Sequence, residues 1–305
     1  MTKDKPLLGI ALMLGFCIVA PIGDAVAKLL GNSVPLGQVV LLRFALQAIV
    51  LIPLVWATGR IWRTQGRVFW LTLLRTILHI LGIGAMFTAL RYLPLADAVA
   101  IVFVMPFFML LLGRFILNET VGHRRLLACI AGFGGTLLVV QPSFAEVGWP
   151  ALLPVFVAAN FSVFMLITRQ IAKETDPISL QAVSGVMAVV LITPFLIWGT
   201  TANIPVIEMI SPDPEQWALL LSIGVLGTGA HLLMTWSLRY APSATLAPMQ
   251  YLEIPIAALL GLVIFDDLPN TLAALGMVIT MAAGIYIILR ERATERQQAA
   301  ATPAE

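Results

Sequence analysis

The chain is written in apolar runs of about 20 residues, the length that carries an α-helix across a hydrocarbon core of roughly 30 Å. Ten such runs can be counted: 7–29, 36–57, 68–90, 95–117, 126–140, 150–171, 178–198, 217–238, 243–265 and 271–289. The fifth is the shortest. Only 11% of residues are charged, against about 25% in a soluble domain. A lipid bilayer is therefore the solvent this sequence requires, and an all-α integral membrane protein of ten transmembrane helices is the expected fold class.

The runs fall into two sets of five. Ala89 to Ala96 reads ALRYLPLA, and Ser237 to Ala244 reads SLRYAPSA. Leu90, Arg91, Tyr92, Pro94 and Ala96 recur as Leu238, Arg239, Tyr240, Pro242 and Ala244, at a spacing of 148 residues (91 to 239). The same spacing carries Asn118-Glu119 onto Asp266-Asp267, and Ala27-Lys28 matches Ala172-Lys173. The first run thus belongs to the repeat rather than to a cleavable leader behind Lys3 and Lys5. The expected units are residues 1–145, residues 146–290 and a polar tail, 291–305. An odd number of spans per unit inserts the second upside down, so the fold reads as two inverted five-helix repeats. Such repeats place a site near mid-bilayer, where the two meet.

Orientation follows from the basic residues. With the N-terminus in the cytoplasm, 14 of the 18 Lys and Arg lie at cytoplasmic ends, from Lys3 and Lys5 to Arg292 and Arg296. Lys28 and Arg91 lie at the opposite ends, and Arg43 and Arg75 lie within spans. The segments 142–149, 199–216 and 266–270 contain acids and neither Lys nor Arg, as external loops. Both termini are expected in the cytoplasm, in a multi-pass protein of the cell inner membrane.

Polar groups at membrane depth are costly, so they mark a cavity or pair with one another. Glu253 lies ten residues into the ninth run, near mid-bilayer at about 1.5 Å per residue. It reads as a substrate contact or a proton-coupling carboxyl, against a structural pair that locks two spans. Gln250 shares its face, and Tyr251 is offset. Asp24 stands four residues before Lys28, and Arg43 enters the second span at similar depth, so a bridge from Asp24 to Arg43 or Lys28 is expected. His79 and His231 are the histidines within spans. Gln47, Asn160 and Trp236 add two amides and an indole. A cavity built from these groups suits a polar organic molecule with an aromatic part. Pro106 and Pro255 stand at near-equivalent places in the two halves, where each removes a backbone donor and marks a kink. Gly82, Gly84, Gly132, Gly134, Gly135, Gly224, Gly227 and Gly229 let helices approach closely in lipid.

Several classes fall away. No basic tract with interleaved aromatics supports nucleic-acid binding. No phosphate-binding loop, nucleophile elbow or metalloprotease helix appears, so neither an enzyme nor an ATP-driven pump is expected. No cluster has metal-ligand spacing, and no cofactor is implied. Cys17 and Cys129 both fall inside apolar runs, without a disulfide framework.

The segment LRYLPLADAVAIVFVMPFF, the NET turn and the glycine-rich fifth run resemble the EamA branch of the drug/metabolite transporters, over about residues 7–290. Within that branch, APMQYLEIPIAALLGLVIFDDLP is similar to the ninth span of bacterial riboflavin and S-adenosylmethionine uptake carriers. The resemblance implies a central cavity lined by spans 1–4 and 6–9, with spans 5 and 10 packed to one side. It implies secondary transport of a small organic metabolite by alternating access, with a proton as a possible coupling ion. Uptake of a cofactor or nucleoside-like compound is the first reading. Export of amino acids or drugs is the alternative, and a scaffold subunit is a third. Oligomeric state is left open.

Overall fold

The structure, a computed structural model, describes residues 6–60, 65–105, 107, 108, 112, 123–171, 174–240 and 249–301. Every described element is helical: α1 (Pro6–Leu30), α2 (Leu36–Ala57), α3 (Gly66–Leu90), α4 (Leu95–Val102), α5 (His123–Val147), a 3₁₀ turn (Trp149–Leu152), α6 (Leu153–Ile171), α7 (Pro177–Thr201), α8 (Pro214–Tyr240), α9 (Glu253–Phe265) and α10 (Thr271–Ala301). In lipid an unpaired backbone N–H or C=O costs several kcal/mol, roughly, and the helix removes that cost within a single segment. Seven of these helices are long and apolar enough to span a membrane. Parts of the expected fourth and ninth spans, including Pro106, Asn118, Glu119 and 243–248, lie outside the described residues, as does the Ala172-Lys173 copy of the Ala27-Lys28 pair.

Helix starts follow the local sequence. Asp176 caps α7, accepting from the backbone N–H of Ile178 and Ser179 at 3.0 and 3.1 Å, with Pro177 at the position that needs no donor. Asp213 and Gln216 cap α8 reciprocally, at 2.8 and 3.0 Å. Asn270 caps α10 through the Ala273 N–H, 2.8 Å away.

The outer surface is apolar. Val190, Phe195, Ile197 and Val263 are all more than half exposed, as lipid-facing side chains are. Trp56, Trp70, Trp149, Trp198 and Trp217 are exposed within two turns of a helix end, where indoles sit at a membrane interface.

Inside, α1 packs along α8 and α3 along α6. Helix α2 lies against α7 and α8, α7 against α2 and α3, α4 against α9, and α5 against α10. Small residues set the closest crossings. At the α5–α10 contact, a Cβ on Gly276 would lie 2.5 Å from the Gly135 carbonyl oxygen, and one on Gly135 would lie 2.9 Å from that of Gly276. The hydroxyl of Thr280 donates to the Gly132 carbonyl oxygen beside them, at 3.4 Å.

Three sequence expectations need correction. The segment 142–149 is not a loop: α5 continues through Pro142 to Val147. The missing donor of Pro142 leaves one carbonyl free in the preceding turn, and the helix is not broken by it. The tail beyond residue 290 is not separate, since α10 runs on to Ala301. Lastly, the ninth span is not one continuous helix. Residues 249 and 250 are helical, Tyr251 and Leu252 form a turn, and α9 starts afresh at Glu253.

The fourth span has a similar interruption. Helix α4 ends at Val102, Phe103 and Val104 form a turn, and helix resumes at Met105. The hydrogen bonds tighten to the 3₁₀ pattern at both places: Val104 N–H to Ile101 C=O at 3.2 Å, and Leu252 N–H to Met249 C=O at 3.0 Å. Those two bonds stand 148 residues apart, the repeat spacing (104 to 252). Pro255 falls in the first turn of α9, where its missing N–H is not needed.

Gly276→Ala is expected to lower stability by about 1–3 kcal/mol, because it meets backbone on α5 that cannot yield. Gly134→Ala meets nothing within 4 Å and is expected to leave stability unchanged or raise it by up to about 1 kcal/mol. Thermal melts of the two purified variants in one detergent check both.

Candidate functional site

Between α1, α2, α3, α4, α6, α8 and the start of α9 lies a cavity whose free space, including its open mouth, is about 1030 Å³. Among the described residues, none from α5, α7 or α10 lines it. Its wall is mainly apolar: Phe16, Phe87, Phe103 and Phe161 with Met86, Met105, Met165 and Met234. Aromatic faces and thioethers offer a surface to a flat organic ring.

Five candidate residues reach this space: Asp24 from α1, Arg43 from α2, His231 from α8, and Gln250 and Glu253 on either side of the turn before α9. The turn brings Gln250 and Glu253 to the cavity and leaves Tyr251 out of it. Glu253 thereby becomes an acidic residue in the first turn of its helix, where the backbone dipole favours a negative charge. Asp24, Arg43, Gln250 and Glu253 make no hydrogen bond or ion pair among the described residues.

The expected bridge from Asp24 to Lys28 or Arg43 is therefore not formed. Lys28 turns the other way. Its ammonium meets Asp267 Oδ2 at 3.1 Å and donates to the Leu93 carbonyl oxygen at 2.8 Å, over the ring of Phe265. Sequence spacing placed a cation one turn from Asp24, but a tertiary carboxylate and a carbonyl offer it two partners at once. Arg43 does face Asp24, and their charges interact without contact inside 4 Å.

The other five candidates hold helices together instead of lining the cavity. Gln47 Nε2 donates to the carbonyl oxygen and the side-chain oxygen of Gln181, at 2.7 and 3.2 Å, tying α2 to α7. Asn160 Nδ2 donates to the Leu78 carbonyl oxygen at 2.7 Å, and its amide takes the space that Gly82 leaves open. Trp236 packs beside Leu51, Val55, Ile178 and Ala182. Tyr251 is buried against Phe103, with ring centroids 5.1 Å apart. His79 is fully buried, and its Nε2 lies 3.1 Å from Nε2 of His231, so one ring donates to the other. The two histidines lie among Phe161 and Phe164, with Phe44 against His79. His231 is thus shared between the packing and the cavity wall.

Sequence reading missed two features. The Phe and Met lining carried no signal, because apolar residues fill every span. Arg75, which the sequence places only within a span, is the largest fully buried side chain among the described residues. It donates to Thr168 Oγ1 at 2.9 Å and Ser184 Oγ at 3.0 Å, over the Phe164 ring, away from the cavity.

Both helix interruptions are also covered by neighbouring side chains. The Cys17 thiol on α1 donates to the Met249 carbonyl oxygen at 3.3 Å. The Ser162 hydroxyl on α6 donates to the Met105 carbonyl oxygen at 3.2 Å. Cys17 and Ser162 stand 145 residues apart, the spacing of the Ala27-Lys28 and Ala172-Lys173 match.

A multi-pass bundle of apolar helices around a cavity that carries charge at its centre is the build of a membrane transport protein. The chain belongs to the EamA-like transporter family, whose model matches residues 7–141 and 148–290. It is similar to a riboflavin transporter of Rhizobium johnstonii, with 32% identity over 230 residues, covering 75% of this chain and 74% of the relative. It is 26% identical over 286 residues to an S-adenosylmethionine uptake transporter of Rickettsia prowazekii, covering 94% of each. A crystal structure at 17% identity shares the fold, with a TM-score of 0.63 over 95% of this chain and 98% of its own.

Cys17→Ser keeps a donor of similar size and is expected to hold the melting temperature. Cys17→Val removes a second donor to the Met249 carbonyl, which also accepts from the Leu252 N–H, and is expected to lower stability by about 1 kcal/mol. Parallel melts of the two variants decide between a bonding and a space-filling role.

Proposed function

We propose that this protein is a secondary carrier that takes up a small organic metabolite by alternating access. A cofactor or nucleoside-like compound, such as riboflavin or S-adenosylmethionine, is the substrate class. The observation that carries this reading is the set of unpartnered polar groups, Asp24, Arg43, Gln250 and Glu253, gathered in one aromatic-lined cavity. Charged groups left unpaired at membrane depth are expensive unless a ligand, water or proton meets them. Direction, uptake over export, rests on the names of the similar proteins.

The carrier is built as two inverted repeats, 1–145 and 146–290, with both termini in the cytoplasm of an inner-membrane protein. The packing supports this. Exchanging each helix for the one five places along turns the α1–α8 contact into α6–α3, and α2–α8 into α7–α3. It turns α1–α9 into α6–α4, and it returns α2–α7, α4–α9 and α5–α10 onto themselves. A pseudo-two-fold axis in the membrane plane produces such a pattern. The family model matching twice, once in each half, supports it independently.

Glu253 is the residue that joins substrate to the coupling proton. It stands at the start of a half-helix, in the cavity, with Asp24 as its acidic neighbour. Bringing two carboxylates and one guanidinium together leaves a site whose charge a proton can change.

Glu253→Gln keeps size and hydrogen bonding and removes the charge. It is expected to insert normally and to lower uptake of labelled riboflavin or S-adenosylmethionine into proteoliposomes by about tenfold or more. Flux equal to that of the unmodified protein would remove Glu253 from the mechanism. Topology is checked separately, with accessibility tags placed before Pro150 and after Leu289. The proposed architecture puts them on opposite sides of the membrane, and tags on one side would end it.

A further inference from the structure

The two arginines inside the spans have opposite surroundings. Arg75 is fully buried, and two hydroxyls and a phenyl ring serve its guanidinium. Arg43 is only 3% exposed, yet its guanidinium makes no hydrogen bond and no ion pair within 4 Å among the described residues. Its Nη1 is buried without a partner. A guanidinium carries five donors and does not lose its proton. Leaving Nη1 buried with no acceptor is costly, so the position is kept for something that meets the guanidinium.

The fold also makes room for this group. Helix α8 passes Arg43 at Gly227, and a Cβ there would lie 2.7 Å from Nε and 3.1 Å from Cζ. The absent side chain is a notch in which the guanidinium lies. The Phe44 ring also lies against it, with its centre 5.0 Å from Cζ. Arg43 and Gly227 both line the cavity. Asp24 and Glu253 line the same cavity, and neither forms an ion pair with the guanidinium within 4 Å. The polar cluster thus holds one guanidinium and two carboxyl groups in one cavity, and no ion pair within 4 Å joins them among the described residues.

We infer that the Arg43 guanidinium, seated in the Gly227 notch, is an anion subsite that binds a carboxylate or phosphate group of the substrate. The inference rests on the carrier reading above and narrows it. The transported molecule carries an anionic group for Arg43, and an aromatic or apolar portion lies against the Phe and Met wall. Planar, two-pronged donation by a guanidinium favours both kinds of anion.

Matched pairs of ligands test this on the full-length protein in detergent, by thermal shift and titration. Flavin mononucleotide against riboflavin tests a phosphate. S-adenosylmethionine against its decarboxylated analogue tests a carboxylate. The unmodified protein is expected to bind the member of at least one pair that carries the phosphate or carboxylate about tenfold more tightly than the partner that lacks it. Arg43→Gln is expected to bring that pair to within about twofold, and Arg43→Lys to keep part of the preference. Gly227→Ala is the second variant. Its methyl group meets the far end of a flexible side chain, so the protein folds while the guanidinium is pushed out, and the preference falls with Arg43 still present. Equal binding of both members of each pair by the unmodified protein overturns the anion subsite and leaves the carrier reading standing. A preference that survives in both Arg43→Gln and Gly227→Ala also overturns it. Binding of no member of either pair overturns the subsite together with the proposed substrate class.

Discussion

The constraint behind this structure is that hydrocarbon offers no hydrogen bonds to a backbone. Every interruption of a helix must then be met by the protein itself. At the two places where helix gives way to a turn, residues 103–104 and 251–252, it is met in the same manner. The local bonds shorten to the 3₁₀ pattern, and a small polar side chain from a neighbouring helix donates to a carbonyl beside the turn. The rings of Phe103 and Tyr251 then pack against one another between the two turns. A backbone that would be intolerable against lipid is stable here because another such turn lies opposite. The consequence is functional. Breaking the helix resets the angular position of the residues that follow, and Glu253 enters the cavity at the beginning of a new helix.

The same accounting separates the polar side chains into two sets. Gln47, Asn160, Arg75 and His79 have partners on neighbouring helices, and none of them lines the cavity. Asp24, Arg43, Gln250 and Glu253 line it and have none among the described residues. A hydrogen bond adds about 1 kcal/mol when made, whereas a buried charged group left without one costs more than that. The first set therefore stabilises the bundle, and the second weakens it. A chain that retains four such groups in one place holds them against a stability cost, which is the usual signature of a site.

Much of this was legible in the residues themselves. Apolar runs declare spans because their length is tied to bilayer thickness. The repeat shows through Arg-Tyr-x-Pro at 91 and 239, while of the paired prolines Pro106 lies outside the described residues and Pro255 sits in the first turn of α9. What could not be read was the phase of each helix. Gln47 and Gln250 are the same amide at similar depth, and only the neighbours decide that one clamps α7 while the other faces open space. A run apolar on all sides gives no periodicity from which to find its inward face. The Asp24–Lys28 spacing misled for a related reason. A helical pair on one turn is worth a few tenths of a kcal/mol, about 0.3–0.5, and a tertiary arrangement with Asp267 and the Leu93 carbonyl outweighs it easily. Pro142 was read as a loop residue, although membrane helices keep proline where neighbours satisfy the carbonyl it frees.

The two ends of the bundle are closed by unequal means. At one end Asp176 caps α7 and also receives Arg60 from α2, with Arg239 from α8 at 3.7 Å, while Arg67 meets Glu174 and Gln170. At the other end Lys28 on α1 holds Asp267 beyond α9 and the Leu93 carbonyl. The acid there is 41% exposed, and a bridge so open to water adds about 1 kcal/mol at most. Helices α1 and α9 both carry cavity residues, so the Lys28 bridge joins two walls of the site directly. The network at the Asp176 end ties α7, which has no residue in the cavity, to α2 and α8. At the Lys28 end Arg91 also donates to the Val34 carbonyl oxygen at 2.9 Å and Gln38 exchanges two hydrogen bonds with the Ile210 backbone, so Lys28 is one of several contacts there.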